Sequence, residues 1–220
     1  MAYVDFVSRA HTSTKRDYMQ RVTSVDKAKV AEIATRFDAA YWDGDRTVGY
    51  GGYHYDGRWR AVADAMVEHY SLKTGDRVLD VGCGKGFLLY DLAQAVPGIE
   101  VVGLDISAYA IENAKDEIKP YLHQGHARQL PFEDNAFDYV VSINTLHNLY
   151  IDDLWSSISE IERVGRGAKH ITIESYRNEQ EKVNLLYWQL TCRAFYMPEE
   201  WEWIFGKIGY SGDYGCIFFE

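Results

Sequence analysis

The chain has 220 residues, a length that suits one domain with a sizeable core. Its formal charge of −10 argues against a nucleic-acid substrate held by phosphate contacts. No apolar run nears the roughly twenty residues that span a bilayer, and residues 1–6 are short for a secretory leader and carry Asp5. The expectation is a cytoplasmic protein with neither nucleic-acid nor membrane partners. Cys83, Cys192 and Cys216 are widely spaced and lack a C-x-x-C pair, so neither a disulfide framework nor a metal site is expected.

In chain order, Val30, Ile33, Ala34 and Phe37 recur at helical spacing and predict a helix laid over the domain. Residues 8–36 hold seven Lys or Arg against three acids, a local basic patch in an acidic chain. Aromatics make up 15% of the chain and gather in 41–59 and 187–203, outside the predicted sheet, where they could wall a pocket for a cationic ligand. Residues 49–59 combine glycines with Tyr50, Tyr53, His54, Tyr55 and Trp59, a composition that suits a hinged lid or a plain turn-rich connection. Trp59, Val62, Ala63, Met66, Val67 and Tyr70 then predict an amphipathic helix ending before Lys73-Thr-Gly-Asp76.

Strands are predicted at about 77–82, 100–105, 120–124, 137–143 and 168–175, with helices between them, one carrying Leu154, Trp155, Ile158 and Ile161. Such alternation makes an α/β, doubly wound, mostly parallel sheet. Gly165-Arg-Gly167 reads as a turn. Helices follow over 183–190 and from Pro198, and Cys216-Ile-Phe-Phe219 closes the chain as a strand.

The most informative stretch is Val78-Leu-Asp-Val-Gly-Cys-Gly-Lys-Gly86, a buried strand, a glycine turn and a helix start. Helix-start N–H groups suit a carboxylate or a pyrophosphate. The third glycine comes one residue earlier than in the dinucleotide pattern G-x-G-x-x-G, which favours a smaller ligand. Asp105, at the tip of the second strand, can accept hydrogen bonds from both hydroxyls of a ribose.

Together with Val102-Gly-Leu-Asp-Ile-Ser107 and residues 125–141, that stretch resembles class I S-adenosylmethionine-dependent methyltransferases. The resemblance implies a Rossmann-like seven-stranded sheet with an antiparallel C-terminal strand and extra N-terminal helices. It also implies one domain, with 1–58 as helical cap or lid and 59–220 as core. The cofactor implied is S-adenosyl-L-methionine, with S-adenosyl-L-homocysteine as product. Its implied binding residues are Asp80, Gly82, Cys83, Gly84, Gly86, Asp105, Ile106, His126, Ala127, Arg128 and Asn144. Many relatives carry Asp where this chain has His126, so here the contact to the adenine ring falls to the backbone N–H of Ala127. Ser13-Thr-Lys-Arg-Asp17 and Tyr50-Gly-Gly-Tyr-His-Tyr55 are also similar to methyltransferases of bacterial surface-glycan gene clusters, which implies a sugar, phosphate or phosphoramidate-type acceptor.

Methyl transfer from a sulfonium needs alignment, a dry pocket and, for a hydroxyl acceptor, a base. His147 follows the fourth strand and is a candidate base or a structural hydrogen-bonding group; His54 is the second candidate. Glu174 and Tyr176, at the tip of the fifth strand, could line the acceptor side. The expected acceptor is a small molecule, anionic because the basic N-terminal segment would attract one, and methylated on oxygen; a homodimer is also expected. Two readings stay open beside this one: a nicotinamide-dependent oxidoreductase on the same sheet, and a non-catalytic donor-binding subunit.

Overall fold

The computed structural model describes residues 1–8 and 16–220. Ser13, Thr14 and Lys15 of the glycan-cluster resemblance, and Arg9 and Lys15 of the basic patch, lie outside the described residues. Six strands form one sheet: β1 (Arg77–Val81), β2 (Glu100–Asp105), β3 (Leu122–Gln124), β4 (Phe137–Ile143), β5 (Gly165–Glu174) and β6 (Asp213–Ile217), in the order β3-β2-β1-β4-β5-β6. All neighbours run parallel.

Strand alternation sorts the apolar residues onto two faces. Val78, Val101, Tyr139 and Val141 pack with α4 (Arg60–Tyr70) and α5 (Phe87–Ala95), and Leu185 of α8 (Glu179–Trp188) joins them. Leu79, Leu104, Val140 and Ile171 pack with α7 (Ile151–Val164) and α9 (Pro198–Ile208). Both faces are therefore covered, as an all-parallel sheet requires. The three cysteines are free thiols.

Ahead of the sheet stand three short helices, α1 (Tyr18–Thr23), α2 (Lys27–Ala34) and α3 (Ala39–Trp42). Each begins on an aspartate, Asp17, Asp26 or Asp38, whose side chain accepts from a first-turn N–H. The single helix predicted to reach Phe37 thus stops at Ala34, and Phe37 turns to φ 50°. A short α6 (Ala108–Glu112) follows β2 and contacts α3.

Two expectations of the sheet fail. Described residues give six strands rather than seven, and the last runs parallel to β5, not antiparallel. Between the end of α9 and β6 there are only residues 209–212, too few for a preceding strand and its hairpin, so the chain re-enters the sheet from a helical crossover. The outer edge of β6 is covered by the N-terminal segment, where Val4 N–H donates to Tyr214 O at 2.8 Å and Tyr214 N–H donates to Ala2 O at 3.0 Å.

Three boundaries also move. Pro120 cannot donate to a ladder, and Lys119–Tyr121 forms a 3₁₀ turn ahead of β3. Gly165-Arg-Gly167 is not a turn but the start of β5. A Cβ on Gly167 would sit 2.2 Å from Asp138 O, so only glycine fits beside the irregular register with β4. The helix expected over 183–190 begins earlier, capped by Asn178, whose side chain accepts from Glu181 N–H.

Candidate active site

The glycine turn after β1 is shaped by its neighbours. Gly82, Gly84 and Gly86 all adopt positive φ, 84°, 55° and 69°. A Cβ on Gly82 would fall 2.1 Å from Thr145 Oγ1, and one on Gly84 would fall 2.8 Å from the Trp42 ring. The turn's own N–H groups are largely consumed in holding it: Gly82 and Cys83 both donate to Leu104 O, and Gly86 donates to Cys83 O. Gly84 N–H donates to Asp105 Oδ2 at 2.7 Å, while Ser107 N–H donates to Asp105 Oδ1 at 2.8 Å. Asp105 is thus the post on which the turn is fixed.

Two carboxyls share this corner. Burial pushes Asp80 up to about 8, helped by the charge of Asp105, and Asp80 Oδ1 has no hydrogen-bond partner among the described residues. Burial also raises Asp105, opposed by the backbone N–H groups of Ser107, Gly84 and Ile106. Asn144, just past β4, sits at φ 57°, a left-handed conformation that asparagine tolerates, and its Oδ1 is a second buried acceptor without a donor.

Over the turn lies the N-terminal segment. Trp42 N–H donates to Ser107 Oγ at 2.9 Å, and its ring stacks on Tyr50 with centroids 5.3 Å apart. Asp43 pairs with Lys85 of the glycine turn at 2.8 Å and accepts from Tyr109 OH and Tyr53 N–H. Burial alone would raise the Asp43 carboxyl; the hydrogen bonds from Lys85, Tyr109 and Tyr53 outweigh it and hold it below its usual value. Tyr53 in turn stacks on Phe87 and accepts from Trp59 N–H. Asp43→Asn leaves the Lys85 ammonium, 3% exposed, without its counter-charge. The expected result is a loss of about 3 kcal/mol in urea unfolding, whereas a loss below about 1 kcal/mol would mark the pair as an ordinary surface bridge.

Beneath this cover runs a cavity of about 550 Å³ along the carboxyl ends of the strands. Asp80, Gly82, Cys83, Gly84, Asp105, Ile106, His126, Ala127 and Asn144 line it, as do Tyr50, Tyr53, His54, Trp59, His147 and Glu174. Four expected residues do not. Gly86 is packed beneath α5, where a Cβ would press on Leu122 and Ile118. Arg128 turns outward to Asp153 at 3.1 Å. Tyr55 donates to Asp91, with Lys115 over its ring. Tyr176 is buried in the core, with Lys182 over its ring. Trp42, Asp43 and Lys85 were not singled out in the sequence; the aromatic cluster at 41–59 was the signal for the first two, and Lys85 lies inside the glycine motif itself.

His147 is poorly placed as a base. It is 1% exposed, and burial drives its imidazole down to about 3. Its Nδ1 accepts from Glu174 N–H at 3.3 Å, which assigns the proton of the neutral ring to Nε2, and its carbonyl accepts from Arg193 and Ala194 N–H. The structural alternative is therefore the better description of His147. Glu174 differs: burial pushes it up to about 8, Gln189 donates to Oε1, and Oε2 has no hydrogen-bond partner among the described residues although His147 Nε2 lies 3.3 Å away. His54 stands exposed at the cavity mouth. Among the described residues no cluster of His, Cys, Asp and Glu could hold a metal, and no helix is long and apolar enough to cross a membrane.

A family profile described as a methyltransferase domain matches residues 72–208, and one described as protein-L-isoaspartate(D-aspartate) O-methyltransferase matches residues 7–132. The chain is 30% identical over 191 residues to a 2-phytyl-1,4-naphtoquinone methyltransferase of Synechocystis sp., covering 82% of this chain and 76% of that protein. It is 34% identical over 161 residues to a demethylmenaquinone methyltransferase of Bacillus cytotoxicus, covering 68% and 62%. A third relative, the demethylmenaquinone methyltransferase of Symbiobacterium thermophilum, is 32% identical, and the chain spans only 57% of its length. Among solved structures, the fold is shared with a methyltransferase in complex with the Haloferax volcanii Trm112 activator, at TM-score 0.54 and 24% identity over 71% of this chain and 77% of that one. It is shared also with YcgJ of Bacillus subtilis, at TM-score 0.53 and 21% identity over 66% of each chain. The glycine turn, the strand-tip aspartate and these matches agree: the chain belongs to the class I S-adenosylmethionine-dependent methyltransferases, with S-adenosylmethionine as its cofactor.

Proposed function

We propose that this chain transfers the methyl group of S-adenosylmethionine to a hydroxyl oxygen of a small anionic acceptor, a metabolite or glycan precursor. The observation that carries the reading is one cavity with a donor-type corner at Asp80 and Asp105 and a buried carboxyl, Glu174, at its other end. The donor corner fits the cofactor. Asp80 Oδ1 and Asn144 Oδ1 are acceptors in want of hydrogens, which an ammonium supplies. Asp105 gives one lone pair of each oxygen to the turn, leaving each oxygen capacity for a ribose hydroxyl. Ala127 N–H would face the adenine.

When bound, S-adenosylmethionine supplies an electrophilic methyl group on a sulfonium. Trp42, Tyr50 and Tyr53 exclude water above it and offer ring faces to the positive charge. Glu174, once ionised, takes the proton of the acceptor hydroxyl as the carbon–oxygen bond forms and the carbon–sulfur bond breaks. Residues 41–59 then act as a cover that opens for exchange. Hydrogen exchange at 49–55 should slow when S-adenosylhomocysteine binds, and equal exchange with and without it would reject a moving cover.

The names of the relatives make a quinol the second reading, and the flat stacked pair of Trp42 and Tyr50 would suit one. Incubation with methyl-labelled donor separates the two. Label in hydroxyl-bearing anionic sugars or metabolites, located on oxygen by NMR, is the expected result; label confined to naphthoquinol carbon would overturn it. Full activity in His54→Ala is expected alongside, since that side chain sits at the exposed mouth.

A further inference from the structure

The basic patch of the sequence resolves into something more specific. Arg16, Arg21 and Arg46 come from different parts of the N-terminal segment, yet their guanidinium carbons lie 5.4, 5.3 and 5.7 Å from the ring of Trp188, the last residue of α8. All four side chains line the cavity. Arg21 donates to Trp188 O and Arg46 O, and Arg46 donates through Nη1 to Gly49 O and Tyr50 O. These bonds hold the guanidiniums in place without neutralising them. Neither Arg21 nor Arg46 has a carboxylate within ion-pair distance among the described residues, although Asp45 acts on Arg21 from further off. Arg46 Nε and Nη2 remain without a hydrogen-bond acceptor among those residues.

Gathering like charges is unfavourable in itself. Burial lowers the Arg21 guanidinium, and the repulsion of Arg46 lowers it further; burial also lowers Arg16, where Tyr18 and Glu174 favour the charge and Arg46 opposes it. In a chain of net charge −10, no carboxylate among the described residues closes on Arg21 or Arg46 to relieve that repulsion, although Asp45 acts on Arg21 and Glu174 on Arg16. The position is also informative. The donor corner lies over the ends of β1 and β2, whereas α8 follows β5, so the arginines stand toward the Glu174 end of the cavity. Arg58, the other arginine on the cavity wall, is neutralised by Asp56 at 2.5 Å. Burial pushes the facing acid, Glu174, up to about 8, against the Gln189 hydrogen bond and the charge of Arg16.

We infer that Arg16, Arg21 and Arg46 around Trp188 seat a phosphoryl group carried by the methyl acceptor. The inference rests on reading the cavity as a small-molecule methyl-transfer site, and it names the part of the acceptor that is recognised but not changed. Planar guanidiniums suit a phosphoryl dianion, whose several oxygens can be shared between forks, better than a single carboxylate. Anchored there, the phosphoryl would present a hydroxyl of the same molecule to Glu174, and it leaves the reaction intact.

The test is calorimetric titration of the full chain, saturated with S-adenosylhomocysteine, using inorganic phosphate and, separately, acetate. Phosphate is expected to bind, more weakly as salt is added, and roughly tenfold to a hundredfold more weakly to Arg46→Gln and to Arg21→Gln. S-adenosylhomocysteine affinity should be unchanged in both variants, which also confirms that they fold; Lys207→Gln, on the outer surface, should match the parent. No phosphate binding to the parent, equal binding to both variants, acetate binding as tightly as phosphate, or phosphate displacing S-adenosylhomocysteine would each overturn the inference. Failure of the parent to bind S-adenosylhomocysteine would instead sink the methyl-transfer reading, so the two failures are told apart. If Arg21→Gln does not fold, because Arg21 also holds the last carbonyl of α8, Arg46→Gln alone decides.

Discussion

Asp105→Ala is expected to weaken S-adenosylhomocysteine binding by a hundredfold or more. Two effects add. The variant loses the acceptor pair proposed for the ribose, each charge-assisted bond contributing about 1.5–3 kcal/mol. It also releases Gly84 N–H and Ser107 N–H, both of which Asp105 holds, so the glycine turn loses its post. Asp105→Asn separates the two: it keeps one acceptor oxygen and should retain part of the affinity. Calorimetry on the three proteins checks this, and donor-product affinity in Asp105→Ala within threefold of the parent would remove Asp105 from the cofactor site.

The second large effect concerns Glu174. As proton acceptor, it must be ionised, and burial holds it up to about 8. The rate in the parent should therefore rise with pH and level off above about 8, while Glu174→Gln should be slower by roughly 10²–10⁴ at the plateau and lose that rise. Stability gives an independent reading with a fixed sign. The folded carboxyl lies above its ordinary value of 4.5, so its contribution to stability is complete below pH 4.5 and is lost as pH climbs through 8. Glu174→Gln should thus gain on the parent across that window, by on the order of 3 kcal/mol at its upper end. A rate profile unchanged by Glu174→Gln would assign the carboxyl a structural place only.

The donor corner was largely legible in the chain because its chemistry is local. Asp80, the three glycines and Asp105 sit within one strand–turn–helix and the next strand, and the backbone demands of that unit leave few residue choices. The end proposed for the acceptor was less so. Arg16, Arg21, Arg46 and Trp188 are far apart in sequence and meet only because α1 packs on α8, which no periodicity announces. His147 shows how burial chooses between two readings the sequence left open. Its residue type and its place after β4 fitted either a base or a structural group; titration depends on solvent access, and at 1% exposure His147 has almost none. The sheet edge failed for a similar reason: the direction of β6 is set by how much chain precedes it, not by the composition of the strand.

Asp80 and Glu174 have one further consequence. Both are carboxylates in the unfolded chain at pH 7 and both are held mostly as neutral acids in the folded one, each at about 8. On folding at neutral pH these two carboxyls therefore take up close to two protons, offset in part by the fraction that His147 and His170 release as burial lowers them. Near neutral pH that uptake leaves the native protein less negative than the −10 of its composition. Thermal unfolding in buffers of different ionisation enthalpy would register the released protons directly, as an apparent heat that changes from one buffer to the next.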